Sequence, residues 1–256
     1  MPKFAASLNL MFNEWPLLDR FAAARDAGFA AVEVQNPYGE KADAIAKRLH
    51  EAGLELVLIN TPRGAPEVGG RGIAAIPSQR DEFRRLFDTA FDYMEATGCR
   101  MVHVMAGTHP TASEAAFEAS LRHAAAKLAP IGGKALLEPL NLFDNPGYFL
   151  GDFDMAARII RKLDLPNVRL QYDFYHRQRR HGEIAASLEA LLTITAHVQF
   201  AGTPGRHEPD MGEIDYGYLF GLLDKLGYKG WVGAEYTPRA GTIEGLGWLK
   251  KWGGAA

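Results

Sequence analysis

Strand-like and helix-like segments alternate eight times along this chain, and this alternation restricts the fold more than any other feature. Short apolar runs predict strands, and longer segments with apolar residues every three or four positions predict helices. Eight strand–helix repeats within 256 residues predict an α/β fold, a single (β/α)₈ TIM barrel with its active site at the C-terminal ends of the strands. The predicted strands are Phe4–Leu10, Ala30–Val34, Leu54–Ile59, Arg100–Met105, Lys134–Glu138, Val168–Asp173, His197–Phe200 and Trp231–Glu235.

The intervals between these strands carry helical patterns, several of which end at a glycine, as helices commonly do. The predicted helices are Trp15–Ala27, Lys41–Ala52, Gln79–Thr97, Thr111–Ala129, Phe153–Leu163, Gly182–Ile194, Tyr216–Leu226 and Thr242–Trp252. A doubly wound open sheet is the main alternative, but it would require a glycine-rich phosphate turn after an early strand. The turns after the first two strands, 11–14 and 35–38, lack that pattern.

Three long connections follow predicted strands three, five and seven: Thr61–Pro77, Pro139–Gly151 and Ala201–Asp215. Loops of this length inside a compact domain are usually functional. In a barrel they lie on the active-site face, where the first of them is expected to help set substrate length. No linker or low-complexity segment divides the chain, so residues 1–256 are expected to form one barrel domain.

Charge and cysteine content exclude several classes of function. The formal net charge is −3, which gives no basic excess to attract nucleic acid or an anionic membrane. One cysteine, Cys99, rules out an internal disulfide framework and suits a reducing compartment. The N-terminal apolar run is too short to span a bilayer and has no cleavage site. We therefore expect a cytoplasmic protein with neither nucleic acid nor a membrane as a partner.

The last four predicted strands each carry an oxygen-bearing side chain at or near the end: Glu138, Asp173, Gln199 and Glu235. A carboxylate at the end of a buried strand is costly unless something positive meets it. Three acids and an amide oxygen around one point suit a hard divalent cation such as Mg²⁺ or Mn²⁺. A bound cation would also reverse the repulsion among the acids. These residues are the candidate metal ligands.

The acids could instead be balanced by ion pairs with Arg169, Arg177 or Arg206. Polar strand ends are common, so a single one carries little weight. The other polar residues at the predicted strand ends are Asn9, Glu33, Asn60 and His103.

Two carboxylates on either side of a metal also suit proton transfer. A divalent ion that holds the carbonyl and hydroxyl oxygens of an α-hydroxy carbonyl compound acidifies the C–H between them and stabilises the enediolate. One glutamate can then take a proton from one carbon while the other returns a proton to its neighbour. Glu138 and Glu235 lie on strands five and eight, far enough apart to straddle a small substrate, and are the candidate catalytic pair.

Four further residues are candidate substrate contacts. His176 is expected to donate a hydrogen bond to a substrate oxygen, although it could simply cap a backbone carbonyl. Arg206 could bind a substrate carboxylate bidentately, or be a solvated loop charge. Arg63 on the first long loop is a weaker anion clamp, and His103 lies at the exit of strand four.

Recognisable motifs occur in order along nearly the whole chain: 21–29, 137–141 (LEPLN), 146–150, 170–176 (LQYDFYH), 197–199, 204–209 (PGRHEP), 212–216 and 230–236 (GWVGAEY). Together they resemble the hydroxypyruvate isomerase family of xylose-isomerase-like TIM barrels. The resemblance implies Glu138, Asp173, Gln199 and Glu235 as ligands of one divalent metal, with the two glutamates as the acid/base pair and no organic cofactor. Gln199 stands where the related sugar epimerases have a histidine.

The resemblance implies an isomerase of a short hydroxy-keto acid in carbohydrate-acid or glyoxylate metabolism. Hydroxypyruvate, converted to 2-hydroxy-3-oxopropanoate (tartronate semialdehyde), is the first expectation, and 2-oxo-tetronate (2-dehydrotetronate) is the alternative. The motifs do not separate the two, because the substrates differ by one carbon. Aromatic-rich terminal helices leave a homo-oligomer open.

Three other functions are alternatives to a hydroxy-keto acid isomerase. A ketose 3-epimerase would use the same two glutamates on one carbon, but Gln199 and the expected carboxylate clamp disfavour it. A metal-dependent nuclease of the same superfamily would need more metal ligands and a basic track. A non-enzymatic sensor or scaffold would have no need for the four strand-end ligands.

Overall fold

A computed structural model describes residues 2–68 and 70–253, within which eight parallel strands pair in chain order and the last pairs with the first. This closed arrangement confirms the predicted (β/α)₈ barrel. The strands are β1 Lys3–Ser7, β2 Ala31–Glu33, β3 Glu55–Asn60, β4 Met101–His103, β5 Lys134–Leu137, β6 Val168–Asp173, β7 Thr195–Phe200 and β8 Trp231–Ala234.

Helices surround the strands and bury their apolar faces against the barrel. Several begin where a side chain accepts a backbone N–H, as at Ser113 and Asp152. The helices are α1 Leu17–Asp26, α2 Ala42–Ala52, α3 Arg80–Thr97, α4 Glu114–Leu128, α5 Phe153–Leu163, α6 Phe174–His181, α7 Ile184–Leu191, α8 Tyr216–Lys225 and α9 Gly247–Trp252. Across the described residues no helix is both long enough and apolar enough to cross a bilayer.

The segment after β6 departs from the sequence-based prediction. The helix predicted over Gly182–Ile194 is present as α7, which a 3-10 turn extends to Ile194. Helix α6, which begins directly at Phe174 and ends before Gly182, was not predicted. The side chain of Asp173 accepts a hydrogen bond from the backbone N–H of Tyr175 at 2.7 Å and so starts α6 at the end of the strand. The strand therefore runs straight into a helix that begins at the barrel mouth.

Several elements are also shorter than predicted, β1 and α9 among them. Strand β1 ends at Ser7 instead of Leu10, because the Ser7 carbonyl accepts the N–H groups of Leu10 and Met11 in a turn. Helix α9 begins at Gly247 instead of Thr242; residues 242–246 form turns, and the Thr242 N–H donates to the Glu14 carboxylate at 2.5 Å.

The first long loop, Thr61–Pro77, is held against the barrel rim. Its residue 69 lies outside the described part of the chain. Gly72 forms a bridge with Ala106 beyond β4, and the Ala74 N–H donates to the Met105 carbonyl at 3.2 Å. Gly72 has φ of +96°, and a Cβ there would lie 2.3 Å from the Met105 carbonyl oxygen. Glycine is therefore required where this loop meets the rim.

Inside the barrel, an apolar layer lies nearer the N-terminal ends of the strands and a polar layer lies above it. The apolar layer contains small and aliphatic residues, including Ala5, Ala31, Val57 and Leu136. The polar layer is buried and consists of Ser7, Glu33, Gln35, Gln171, His197 and Gln199. The candidate site begins directly above this polar layer.

Candidate active site

The four predicted ligands leave neighbouring strands at one rim. Glu138 and Glu235 immediately follow β5 and β8, and Asp173 ends β6. In the parallel register Asp173 lies opposite Gln199, and Gln199 lies opposite Gly233. Because paired residues of neighbouring parallel strands face the same side, Asp173 and Gln199 both point into the barrel. The barrel thus brings these residues to one mouth.

Glu138, Asp173 and His176 form a compact buried cluster. One potential ligand atom from each lies within 4.8 Å of the others. The outer oxygens, Glu138 Oε1 and Asp173 Oδ2, find no hydrogen-bond partner among the described residues. Buried polar atoms are rarely left unpaired, so two such oxygens side by side fit a site for a hard divalent cation.

His176 faces this cluster as a hydrogen-bond donor. Its Nδ1 accepts the backbone N–H of Asn141 at 3.1 Å, so the ring proton lies on Nε2. Nε2 is 3.8 Å from Glu138 Oε1 and 3.7 Å from Asp173 Oδ2. Burial holds the pKa of His176 well below its usual value, so the ring is neutral. A nitrogen that carries a proton cannot bind a metal, which leaves His176 suited to a substrate oxygen.

Arg206 supplies part of the charge that the acids require. Its guanidinium lies 2.5 Å from Glu235 Oε2 and 3.8 Å from Asp173 Oδ2, and it stacks on the Tyr175 ring at 5.1 Å. The ion-pair alternative is therefore realised in part through Arg206. The other two arginines point elsewhere, since Arg169 donates to the Thr193 carbonyl and Arg177 to the Gly182 carbonyl.

The three acids bind protons more tightly than ordinary carboxyl groups. Burial raises the pKa of Glu138 well above its usual value, with further repulsion from Glu235 and Asp173. Burial also raises the pKa of Asp173 to about 6 and that of Glu235 to about 7, although the Arg206 guanidinium opposes both shifts. One guanidinium does not neutralise three acids, so a further positive charge would stabilise the site.

We expect divalent cations and protons to compete for these oxygens. Mg²⁺ or Mn²⁺ binding should release protons below about pH 7, and the ion should raise the melting temperature more at about pH 8 than at about pH 5.5. The pKa values of Asp173 and Glu235 exceed their usual 3.8 and 4.5. Their contribution to metal-free stability is therefore full below those usual values and is lost as the pH rises through about 6 and 7. Calorimetry in buffers of different ionisation enthalpy counts the protons; a proton count of zero would contradict the competition.

His103 lies beside the same cluster. Its Nδ1 is 3.1 Å from Glu138 Oε2. Burial lowers the pKa of His103 to about 3, so the ring is neutral and supplies no positive charge to Glu138. The contact between His103 and the substrate stays a prediction.

Several polar residues that hold the site together were not predicted from the sequence. Asn141 fixes the ring of His176 and also donates to Asp144 at 2.9 Å, and Asp144 accepts the Tyr175 hydroxyl at 2.7 Å. Asn141 falls within the 137–141 motif, but nothing in the motif shows that it contacts residue 176. That contact depends on helix α6, which the sequence pattern did not predict.

The long loop over the site places Arg71 against the site wall. Its guanidinium donates to the Asn145 side chain, whose own amide donates to the Asn141 carbonyl at 3.1 Å. Arg63, the predicted clamp on this loop, contributes its carbonyl to the N–H of Gly72 at 2.9 Å. Arg71 is thus the loop cation that the structure connects to the site, through a partner that carries no charge.

Comparison with known proteins gives a match over most of the chain. The family described as xylose isomerase-like TIM barrel matches residues 21–252. A protein named 2-oxo-tetronate isomerase from Cupriavidus necator is 43% identical over 98% of this chain and 99% of its own length. A protein named putative hydroxypyruvate isomerase from Homo sapiens is 44% identical over 98% of this chain and 95% of its own length.

Solved structures agree with the fold. A crystal structure from Brucella melitensis, titled AP endonuclease, family 2, superposes with a TM-score of 0.96 at 44% identity, over 98% of this chain and 99% of that one. A 3-keto-D-glucoside 4-epimerase from E. coli superposes with a TM-score of 0.78 at 22% identity, over 98% and 100%. At that lower identity the likeness concerns the fold alone.

Proposed function

Because this chain belongs to the xylose isomerase-like TIM barrel family, we propose that it is an isomerase that moves the carbonyl group of a short hydroxy-keto acid between adjacent carbons. The observation that carries the proposal is the buried cluster at the mouth, where unpaired oxygens of Glu138 and Asp173 face the Nε2–H of His176. Glu235 adds another carboxylate at the mouth, beside Arg206.

Hydroxypyruvate is the proposed substrate, and 2-oxo-tetronate is the alternative. The relatives divide between the two names at nearly equal identity, 43% for the Cupriavidus protein and 44% for the human one. Both acids carry a hydroxyl next to a ketone and a carboxylate at one end. Arg206 or Arg71 would bind that carboxylate. The charge of Arg71 is the less neutralised of the two, because its partner is the uncharged amide of Asn145, whereas Arg206 is paired with the carboxylate of Glu235.

The proposed reaction is a proton transfer between two carbons. One glutamate of the pair Glu138 and Glu235 removes the proton from the hydroxyl-bearing carbon, and the C–H electron pair enters the enediolate. The other glutamate gives a proton to the former carbonyl carbon, while the hydroxyl proton passes to the other oxygen. The Nε2–H of His176 donates a hydrogen bond to the substrate oxygen on which negative charge develops and so stabilises it.

Glu138, Asp173, Gln199 and Glu235 would hold one divalent ion, Mg²⁺ or Mn²⁺ in the proposal. Bound there, the ion would supply positive charge that acidifies the C–H beside a carbonyl. The chain's own residues orient the substrate and move the proton, so no organic cofactor is required by this chemistry.

A nuclease is disfavoured even though the Brucella structure carries an endonuclease title. Within the described residues, Glu138, Asp173 and His176 are the one group of three acids, histidines or cysteines that could hold a metal, and His176 presents a proton there. The net charge of −3 offers no basic track for a phosphate backbone.

The function is tested with a substrate panel in D₂O with added Mg²⁺ or Mn²⁺, followed by NMR. Hydroxypyruvate, four-carbon 2-oxo acids and ketoses are compared, with abasic DNA as a separate assay. We expect the carbonyl to move and deuterium to enter with it, and the ratio of kcat/KM values gives the preferred chain length. Epimerisation of a ketose without carbonyl movement, or cleavage of abasic DNA alone, would contradict the proposal.

A further inference from the structure

Glu33 is a carboxylate buried inside the barrel, below the candidate metal site. It ends β2 and has no exposed surface. Its side chain crosses the inner face of β8 at Gly233, where an added Cβ would lie 1.8 Å from Glu33 Oε1. A glycine inside a strand often marks such a close approach. Gly233 leaves the space through which Glu33 reaches β7.

Glu33 meets two amide donors and a histidine ring nitrogen in this position. Its Oε2 accepts from Gln35 Nε2 at 3.0 Å and from Gln199 Nε2 at 2.8 Å, and its Oε1 contacts His197 Nε2. The carboxylate oxygen Oε2 is the acceptor in both amide hydrogen bonds, and an amide donates through its NH₂ group. The amide of Gln199 must therefore turn its NH₂ group toward Glu33.

The other end of the Gln199 amide points toward β6. Its Oε1 accepts a hydrogen bond from Gln171 Nε2 at 2.6 Å, and Gln171 lies two residues before Asp173 on β6. A carbonyl oxygen has two lone pairs, so one remains for another partner. The oxygen thus lies on the side of the amide that faces the strand carrying Asp173.

We propose that Glu33 is a positioning residue that fixes the amide of Gln199, so that its oxygen and not its NH₂ group is presented to the divalent cation. Without this acceptor the two ends of the amide would compete for the same place, and an N–H donor directed at a cation is repelled. The inference rests on the metal site of the proposed function. It also explains why a glutamine can serve as a ligand there, because hydrogen bonds from the polar layer below fix the orientation of the Gln199 amide.

The test is a set of metal affinities measured by calorimetry with Mn²⁺, independent of turnover. Glu33→Gln is expected to weaken Mn²⁺ binding by about 10–100-fold, the range seen when a ligand's supporting partner is lost. In a Gln199→Glu background both terminal atoms are oxygens, so orientation no longer matters. The new carboxylate would also face that of Glu33 across the present 2.8 Å contact, so Glu33→Gln is there expected to leave the Mn²⁺ affinity unchanged or to raise it.

The comparison between backgrounds separates orientation from charge. If Glu33 acted only by attracting the cation, its loss would weaken binding equally in the wild-type and the Gln199→Glu backgrounds, and the inference would be overturned. Glu33→Asp keeps the charge but shortens the side chain, so it should also weaken binding in the wild-type background. It replaces Glu33→Gln if circular dichroism shows that variant to be unfolded. Thr195→Val, which removes a buried hydrogen bond to Leu191 at the opposite end of β7, is the control and should keep the wild-type affinity.

Failure of the inference and of the proposed function are distinguishable. Absence of Mn²⁺ binding by the wild-type protein would contradict the metal site and with it this inference. Wild-type binding that is unchanged by both Glu33→Gln and Glu33→Asp would overturn the role of Glu33 alone.

Discussion

Glu138→Gln and Glu235→Gln are each expected to lower turnover of the hydroxy-keto acid by about 10²–10⁴-fold, the usual contribution of a positioned general acid or base. The amide keeps the size of the carboxyl group and one oxygen, but it cannot carry the transferred proton. Steady-state kinetics with saturating Mg²⁺ or Mn²⁺ measures the loss. Wild-type turnover in both variants, with metal bound normally, would refute the acid/base assignment.

Isotope exchange in D₂O tells the two glutamates apart. Each variant retains one glutamate, which can still remove a proton from its own carbon and return a deuteron to it. We therefore expect one variant to exchange hydrogen only when given the ketone form, and the other only when given the aldehyde form. Neither should move the carbonyl at the wild-type rate. Exchange from both forms in one variant would mean that a single residue serves both carbons.

A matched control lies at the opposite end of the barrel. Glu55 begins β3, and its carboxylate accepts the indole N–H of Trp231 at 3.0 Å. Glu55→Gln makes the same chemical change far from the mouth, so its turnover is expected to remain at the wild-type level. A comparable loss in Glu55→Gln would point to general damage instead of lost proton transfer.

Strand periodicity predicts the barrel well because each strand is a short apolar run bounded by turn residues, and chain order then gives the strand order. It also brings the strand-end residues Glu138, Asp173, Gln199 and Glu235 to one rim, which needs only the count of strands. Boundaries are less well predicted. Strand β6 has its predicted bounds, but helix α6, which Asp173 caps, begins at the very next residue and was not predicted.

Contacts between loops and strands could not be predicted from periodicity. Arg206 lies on a connection without regular structure, and its approach to Glu235 depends on the path of that loop. The proton on His176 Nε2 depends on a backbone N–H 35 residues away. Glu33 and Gly233 lie on strands far apart in the sequence, and each alone is an unremarkable strand residue. The charge balance of the site is therefore visible only in three dimensions.

Gly233→Ala is expected to destabilise the protein by about 3 kcal/mol, as overpacking and loss of buried hydrogen bonds each cost about 1–3 kcal/mol. The added Cβ would lie 1.8 Å from Glu33 Oε1 and 2.6 Å from its Cδ, so the carboxylate must leave its three partners, Gln35, His197 and Gln199. For a chain of this size the melting temperature should fall by about 6–12 °C. Thermal melting followed by circular dichroism measures the change.

Gly221→Ala is the matched control, and its expected effect on the melting temperature has the opposite sign. Gly221 lies on the exposed side of α8, and an added Cβ would meet nothing within 4 Å. Alanine is favoured over glycine in a helix by about 1 kcal/mol, so this variant should melt at or above the wild-type temperature. Glu33→Ala should relieve the crowding, so that adding Gly233→Ala to it costs far less than in the wild type. Equal costs in the two backgrounds would mean that Gly233 is needed for some reason other than the passage of Glu33 across the barrel.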